Sequence, residues 1–164
     1  MKNKDISHLK EMRLFSGFSE IGLQEFLKTF RCLSFKAGEV IFREGSEGST
    51  FFVIVSGEVA IEKRMDKQGK KSKKLSILNK GDFFGEMAVL ENQPRFAQAR
   101  AVSDAELFEL ERHRLMQFIK EHPGEGVGML IEILLVILKR LRHTSDELMA
   151  AHGFMEVLAK YSRK

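Results

Sequence analysis

CLSFKAGEVIFREGSEGSTFFVIVSGEVAIEK, the stretch from Cys32 to Lys63, decides the fold. It alternates short runs of β-branched and aromatic residues, LSF, VIF, TFFVIV and EVAIEK, with the glycine-bearing turns Lys36-Ala37-Gly38-Glu39 and Ser56-Gly57-Glu58. Such runs suit a pleated, half-buried surface, and glycine permits the tight turns between them. Downstream, KLSIL, AQARAV and ELFEL continue the texture, with Asn79-Lys80-Gly81-Asp82 as another turn. Seven or eight closely spaced strands, with no long helix between them to make a crossover, predict a barrel or jelly roll rather than a parallel sheet.

Helical periodicity flanks this region. Ile6, Leu9, Met12 and Leu14 form one short amphipathic pattern, and Ile21, Leu23, Phe26, Leu27 and Phe30 form a second, opened by Ser19 as N-cap. After Leu110 the period is again helical, over Arg112 to Glu121 and, past Pro123-Gly124, from about Glu125 to Ala151. The long helix has Leu130, Leu134, Ile137, Leu141 and Leu148 near one seam, and Met129, Ile133, Val136 and Leu138 around the rest of its first half. A domain this small cannot enclose a helix on all sides, so a homodimer through Glu125 to Ala151 is expected. Phe154, Val157, Leu158 and Tyr161 in the tail read as one or two more amphipathic turns packed on the domain or dimer. Residues 1–124 are expected to hold the β-roll, the N-terminal helices and the first C-terminal helix; residues 125–164 hold the long helix and tail of the same structural unit.

The whole chain narrows the class. Its 164 residues match one domain, and an apolar fraction of 43% provides for a core. The net charge of +4 comes largely from Lys63 to Lys74, so it is not a general nucleic-acid footprint. Within it, MDKQGKKSKK, Met65 to Lys74, reads as an exposed hairpin loop and has no aromatic residues to stack on bases. Cys32 is the single cysteine, expected as a packed thiol, and no apolar signal region follows Met1 to Asp5. The most apolar stretch, Val127 to Leu138, is shorter than the roughly 20 residues that span a bilayer. A cytoplasmic protein with no membrane partner is expected.

The chemistry concentrates in Gly81-Asp82-Phe83-Phe84-Gly85-Glu86-Met87-Ala88-Val89-Leu90, where a glycine turn precedes a short helix-compatible run. Free backbone N–H groups at such a start attract an anion. Pro94-Arg95 then offers a guanidinium whose donor fork suits two phosphate oxygens. Glu86 either complements the helix dipole or accepts from a ribose hydroxyl, and Arg95 by itself reads equally well as a surface residue paired with Glu86 or Glu91.

The longer string FGEMAVLENQPRFAQARA, Phe84 to Ala101, resembles the phosphate-binding cassette of the cyclic-nucleotide-binding domain family, shared by bacterial catabolite activator proteins and regulatory subunits of cyclic-AMP-dependent kinase. Leu14-Phe15, Phe18 and FKAGEVIFREGSEGSTFFVIVSGEVAI extend the resemblance. It implies an α+β fold: an eight-stranded antiparallel β jelly roll flanked by N-terminal and C-terminal helices, with Arg95 on the cyclic phosphate and Glu86 on the ribose 2′-hydroxyl. It also implies a ligand site of Gly85, Glu86, Met87, Ala88, Arg95, Phe96 and Ala97, and C-terminal helices that re-seat when the nucleotide binds.

One departure stands out. The family usually has Ala, Ser or Thr after the arginine, and often Thr or Ser two residues later; here Phe96 and Gln98 occupy those places. A ring at Phe96 either enters the pocket, narrowing it or stacking on a base, or turns into the barrel wall and leaves the backbone donor in place. Lacking a hydroxyl there, cyclic AMP is expected as ligand in preference to cyclic GMP. No metal is expected, since His8, His113, His122, His143 and His152 all lie outside the strand runs, and no catalytic spacing argues for an enzyme. Only about a dozen residues, HGFMEVLAKYSRK, follow the long helix, too few for a DNA-binding module, so no DNA partner is expected unless the chain is part of a longer transcription regulator. A standalone sensor would act through an unknown downstream protein. The competing reading is a dimerisation scaffold that kept the fold and lost the ligand.

Overall fold

The computed structural model describes residues 9–66 and 71–161. Ile6 and the centre of the lysine-rich hairpin, residues 67–70, lie outside them. The described chain begins with a 3₁₀ turn, Arg13–Phe15, and helix α1, Glu20–Leu27. Strands β1 Arg31–Phe35, β2 Val40–Phe42, β3 Thr50–Ser56, β4 Val59–Arg64, β5 Ser72–Leu78 and β6 Phe83–Phe84 follow, then helix α2, Glu86–Glu91. Strands β7 Gln98–Ala101 and β8 Ala105–Glu111 lead into α3, Arg112–Glu121, and α4, Pro123–Tyr161.

All eight strands are antiparallel and form two four-stranded sheets, ordered β1-β8-β3-β6 and β2-β7-β4-β5. Their inner faces meet in a core of Phe52, Ile54, Val59, Leu78, Phe84, Ala99, Ala101, Ala105 and Leu107. This is the expected jelly roll. The strand pattern anticipated every strand except β6, whose two residues are too few to show periodicity.

TFFVIV shows no polar alternation because both faces of β3 are covered, and Phe51 to Ile54 are all buried. Phe52 and Ile54 enter the barrel core, while Phe51 meets Phe83 at 5.4 Å between ring centroids. Outside the barrel, an aromatic layer joins α1 to α3: Phe26 and Phe118 lie 4.1 Å apart, Phe18 stacks on Phe118 at 5.5 Å, and Phe30 reaches Phe108 of β8 at 5.8 Å.

Ser19 caps α1 as its position predicts, its hydroxyl accepting from Gly22 N at 3.0 Å. The same hydroxyl and the Ser19 backbone N–H both donate to Glu125 Oε1, at 2.6 and 3.0 Å, which ties the start of α1 to the first turn of α4. Ser19→Ala removes the cap and one of these ties, and is expected to lower unfolding free energy by about 1 to 2 kcal/mol. Urea denaturation of the two proteins, compared at equal slope, measures it.

The chain divides into two compact units, Met1–Met129 and Leu130–Lys164. Helix α4 starts at Pro123, a residue suited to the first helical position, and continues past the expected end near Ala151 to Tyr161. Gly153, the one glycine between Ala151 and Tyr161, costs only about 1 kcal/mol, and Phe154, Val157, Leu158 and Tyr161 keep helical spacing beyond it. Those four are exposed, as are Ile131, Leu134, Leu135, Leu138, Leu141 and Leu148 in the same unit. Cys32 is likewise exposed rather than packed, because it lies on β1 facing away from the core. Partial desolvation and then the Glu106 carboxylate raise its pKa, which keeps the thiol protonated and a poor nucleophile. No helix among the described residues is long and apolar enough to cross a membrane.

Candidate functional site

Gly85 has φ +82°, a conformation open to glycine at little cost, and turns the chain from β6 into α2. The helix lasts six residues and ends at Asn92 in the left-handed region, φ 55°. Pro94 then delivers Arg95 beside the turn that follows β2. There Arg95 N donates to Ser46 O and Gly45 N donates to Arg95 O, both at 2.8 Å, so the backbone of this one residue is held from both sides.

The side chain of Arg95 turns inward and is only 5% exposed, which rules out the surface-pair reading. Nη1 donates to Thr50 O at 2.7 Å and to Gly85 O at 3.2 Å, and Nη2 donates to Thr50 Oγ1 at 2.8 Å. The guanidinium carbon lies 4.1 Å from the Phe42 ring centroid and 5.6 Å from that of Phe52. Buried Nε has no hydrogen-bond partner among the described residues. Two glycines make room for the group. A Cβ on Gly48 would lie 2.5 Å from Ala88 Cβ and 3.0 Å from both Cδ and Nε of Arg95; one on Gly85 would lie 2.7 Å from Nη1.

Burial pushes the Arg95 pKa down to about 10, against the opposing pull of Glu109 and Glu86. The group therefore stays cationic at neutral pH. Glu86, at the start of α2, is itself 5% exposed, so two opposite charges share one desolvated region. Ala88 is buried against the Gly48 turn, Met87 is exposed, and Ala97 is buried as β7 begins. Gly85, Glu86, Ala88 and Arg95 are thus brought together around the guanidinium.

Phe96 does not turn into the barrel wall. Its ring is 53% exposed, with the Lys63 ammonium 3.9 Å from its centroid. Lys63 also donates to the Phe96 carbonyl and pairs with Glu44 at 3.2 Å. Glu44 in turn accepts from Arg64 N at 2.8 Å, and this bond is the main reason its carboxyl is held below the usual range, with Lys63 assisting. A lowered folded-state pKa stabilises the fold above the ordinary glutamate value of 4.5, and that contribution is lost as pH falls through the lower folded value. Glu44→Gln should therefore flatten the acid side of a plot of urea midpoint against pH, leaving the neutral slope unchanged.

Thr50, Gly48, Phe42, Phe52, Glu44 and Lys63 complete the site and carried no signal of their own in the sequence, since they meet Arg95 and Phe96 only through strand pairing across the roll. Gln98 is committed elsewhere: its amide donates to Glu62 Oε2 at 3.0 Å, directly across the β4–β7 pair. A cleft of about 470 Å³ between α1 and α3, lined in part by Glu25, Arg114 and Phe118, shares no residue with this region. Among the described residues no cluster of three or more His, Cys, Asp or Glu side chains could hold a metal ion.

The jelly roll thus buries Arg95 beside a short helix that starts at a left-handed glycine. The chain belongs to the cyclic nucleotide-binding domain family, whose model matches residues 32–122, more than half of its length. It is 27% identical over 135 residues to the CRP-like cAMP-activated global transcriptional regulator of Mycobacterium tuberculosis, covering 82% of this chain and 58% of that one. It is 34% identical to a cGMP-dependent protein kinase of Eimeria tenella over 72% of this chain and 11% of the kinase. The chain thus spans little more than half of the first relative and a small part of the second. Among solved structures, the catabolite activator protein of Thermus thermophilus superposes with a TM-score of 0.71 at 29% identity, over 83% of this chain and 61% of that chain. A cyclic nucleotide-binding domain from Methylobacillus flagellatus superposes at 0.76 with 24% identity, over 89% and 82% of the two chains, a likeness of fold.

Proposed function

We propose that this chain is a regulatory module that binds a cyclic nucleotide, cyclic AMP in preference to cyclic GMP, and passes the binding event on through its C-terminal helices. The observation that carries the reading is Arg95: a cation kept in a desolvated position, its Nε–H without a partner among the described residues, beside a buried Glu86. Maintaining two buried charges costs stability that an empty pocket would not require. In this reading Arg95 and the backbone N–H groups of Gly85, Met87, Ala88, Phe96 and Ala97 hold the phosphate, and Glu86 accepts from the ribose 2′-hydroxyl. The nucleotide's cyclic phosphate supplies the anion; the chain supplies recognition and no catalysis.

The preference for adenine follows from Phe96, which has no hydroxyl to meet the additional polar edge of guanine. Leaving such a group desolvated and unpaired costs about 1 kcal/mol or more, a factor of about five or above in affinity. Calorimetry with both nucleotides tests this. Tighter binding of cyclic AMP is expected; equal or reversed affinities would sink the preference.

Transmission would move Arg112–Glu121 and the helix that follows, with coupling of about 1 to 3 kcal/mol. A homodimer through Glu125 to Ala151 would cover the exposed leucines of that helix, and an unidentified protein would receive the signal. Neither DNA nor a membrane is a proposed partner of these residues, and a cytoplasmic setting suits them. The same chain would serve equally as the sensor portion of a longer transcription regulator, given its share of the mycobacterial protein.

One observation favours the second reading, a ligand-free scaffold: Arg95 already donates three hydrogen bonds to Thr50 and Gly85. No heat from either nucleotide at millimolar concentration would establish it.

A further inference from the structure

We propose that Lys63 is a positioning residue for the ligand: by holding the Phe96 carbonyl it aims the backbone N–H of Ala97 at the phosphate. This rests on the nucleotide reading above and assigns to that site the first residue of the lysine-rich run.

Lys63 stands apart from the rest of its run. Lys71, Lys73 and Lys74 are exposed, whereas Lys63 is partly buried and its ammonium is held at three points. It donates to the Phe96 carbonyl, pairs with the Glu44 carboxylate at 3.2 Å and lies 3.9 Å from the centroid of the Phe96 ring. A lysine tied down in this way gives up much rotamer freedom, which charge-assisted bonds must outweigh.

Peptide geometry carries that hold onward. A trans peptide is planar with its N–H opposite its C=O, so fixing the carbonyl of Phe96 also fixes the direction of the Ala97 N–H, away from Lys63. Ala97 is 6% exposed, and its N–H has no hydrogen-bond partner among the described residues. Buried backbone donors are nearly always paired, so an open one two residues after the buried Arg95 marks a place for an acceptor. The preceding peptide is held in the same manner: Gly45 N donates to Arg95 O at 2.8 Å, which sets the direction of the Phe96 N–H. Residues 44–46 thus supply both the hold on Arg95 and the carboxylate that keeps Lys63 in place.

Charge adds to geometry. An ammonium on a carbonyl polarises the whole amide, which makes the N–H of the same peptide a better donor to an anion. Glu44 is fixed in turn by Arg64 N at 2.8 Å. Its own negative charge would repel a phosphate, so its contribution has opposite signs as a charge and as a support.

Calorimetry on the full chain, together with the amide resonance of Ala97 by NMR, tests the role. Wild type is expected to bind cyclic AMP and to shift the Ala97 amide proton downfield at saturation. Lys63→Met should weaken binding about five- to tenfold and shrink that shift at saturation, which lost stability alone would not do. Glu44→Gln removes a negative charge beside the cassette, so simple attraction predicts tighter binding; loss of the support predicts binding about two- to threefold weaker. Unchanged affinity and an unchanged Ala97 shift in Lys63→Met, or tighter or equal binding in Glu44→Gln, overturns the positioning role and leaves nucleotide binding standing. Should Lys63→Met fail to fold, the affinity and Ala97 shift of Glu44→Gln decide. If wild type binds neither cyclic AMP nor cyclic GMP, the nucleotide reading itself fails and takes the positioning role with it.

Discussion

If the proposed function holds, replacing Arg95 by alanine is expected to weaken binding of cyclic AMP by about 1.5 to 3 kcal/mol, about 10- to 150-fold in Kd, through loss of charge-assisted hydrogen bonds to the phosphate. The loss belongs to the ligand rather than to a collapse of the cassette, because the backbone of residue 95 is held independently by Gly45 and Ser46. Some destabilisation accompanies it. Truncation leaves Thr50 O and Thr50 Oγ1 without the guanidinium donors and opens space beside the Phe42 and Phe52 rings. Arg95→Lys separates the effects: the ammonium keeps the charge but not the planar fork or the Nε–H, so affinity should stay low while stability recovers in part. Calorimetry gives the first quantity and urea denaturation the second. An unchanged Kd in Arg95→Ala would remove the arginine from the site.

The second large effect is expected at Gly57, in the turn between β3 and β4. Its φ is +83°, and an added Cβ would stand 2.3 Å from Asp104 O and 2.7 Å from Ala105 Cα. Both obstacles are backbone at the start of β8, which cannot swing aside as a side chain does. Gly57→Ala should therefore cost about 3 kcal/mol or more, a large part of the 5 to 15 kcal/mol typical of a domain. Gly38 is the control. It has φ +88° but open space around its Cβ direction, so Gly38→Ala should cost only the left-handed backbone term, about 1 to 2 kcal/mol. Equal losses at the two positions would show that backbone conformation, and not the approach to β8, sets the penalty.

The contrast between these glycines shows what a linear reading reaches. Both are legible as turn residues from the strand-like runs on either side. The close approach at Gly57 is not, because Asp104 and Ala105 are brought there only by pairing of β3 with β8. Helix ends behaved similarly. Ser19 and the span Arg112–Glu121 follow from capping and periodicity, both local. The helical spacing of Phe154, Val157, Leu158 and Tyr161 is also local, but that these turns continue α4 without a break through Gly153 is set by the structure.

Arg95 is the sharpest case. Local sequence left it between a surface ion pair and a phosphate ligand, and only the long cassette resemblance favoured the second. Its burial, its hold on Thr50, and the space granted by Gly48 arise from contacts across some 45 positions of chain.

What the sequence determined by itself is what short-range physics encodes: strand and turn alternation from Cys32 to Leu110, the capped helix at Ser19, and a glycine turn before the short helix that begins at Glu86. Tertiary structure alone decided that Arg95 is sealed inside the roll, that the Phe96 ring faces outward beneath Lys63, and that Gln98 is occupied by Glu62. Those outcomes depend on which residues the pairing of β4 with β7 and the turn after β2 place side by side, and side-chain direction at such junctions has no periodic signature to read in advance.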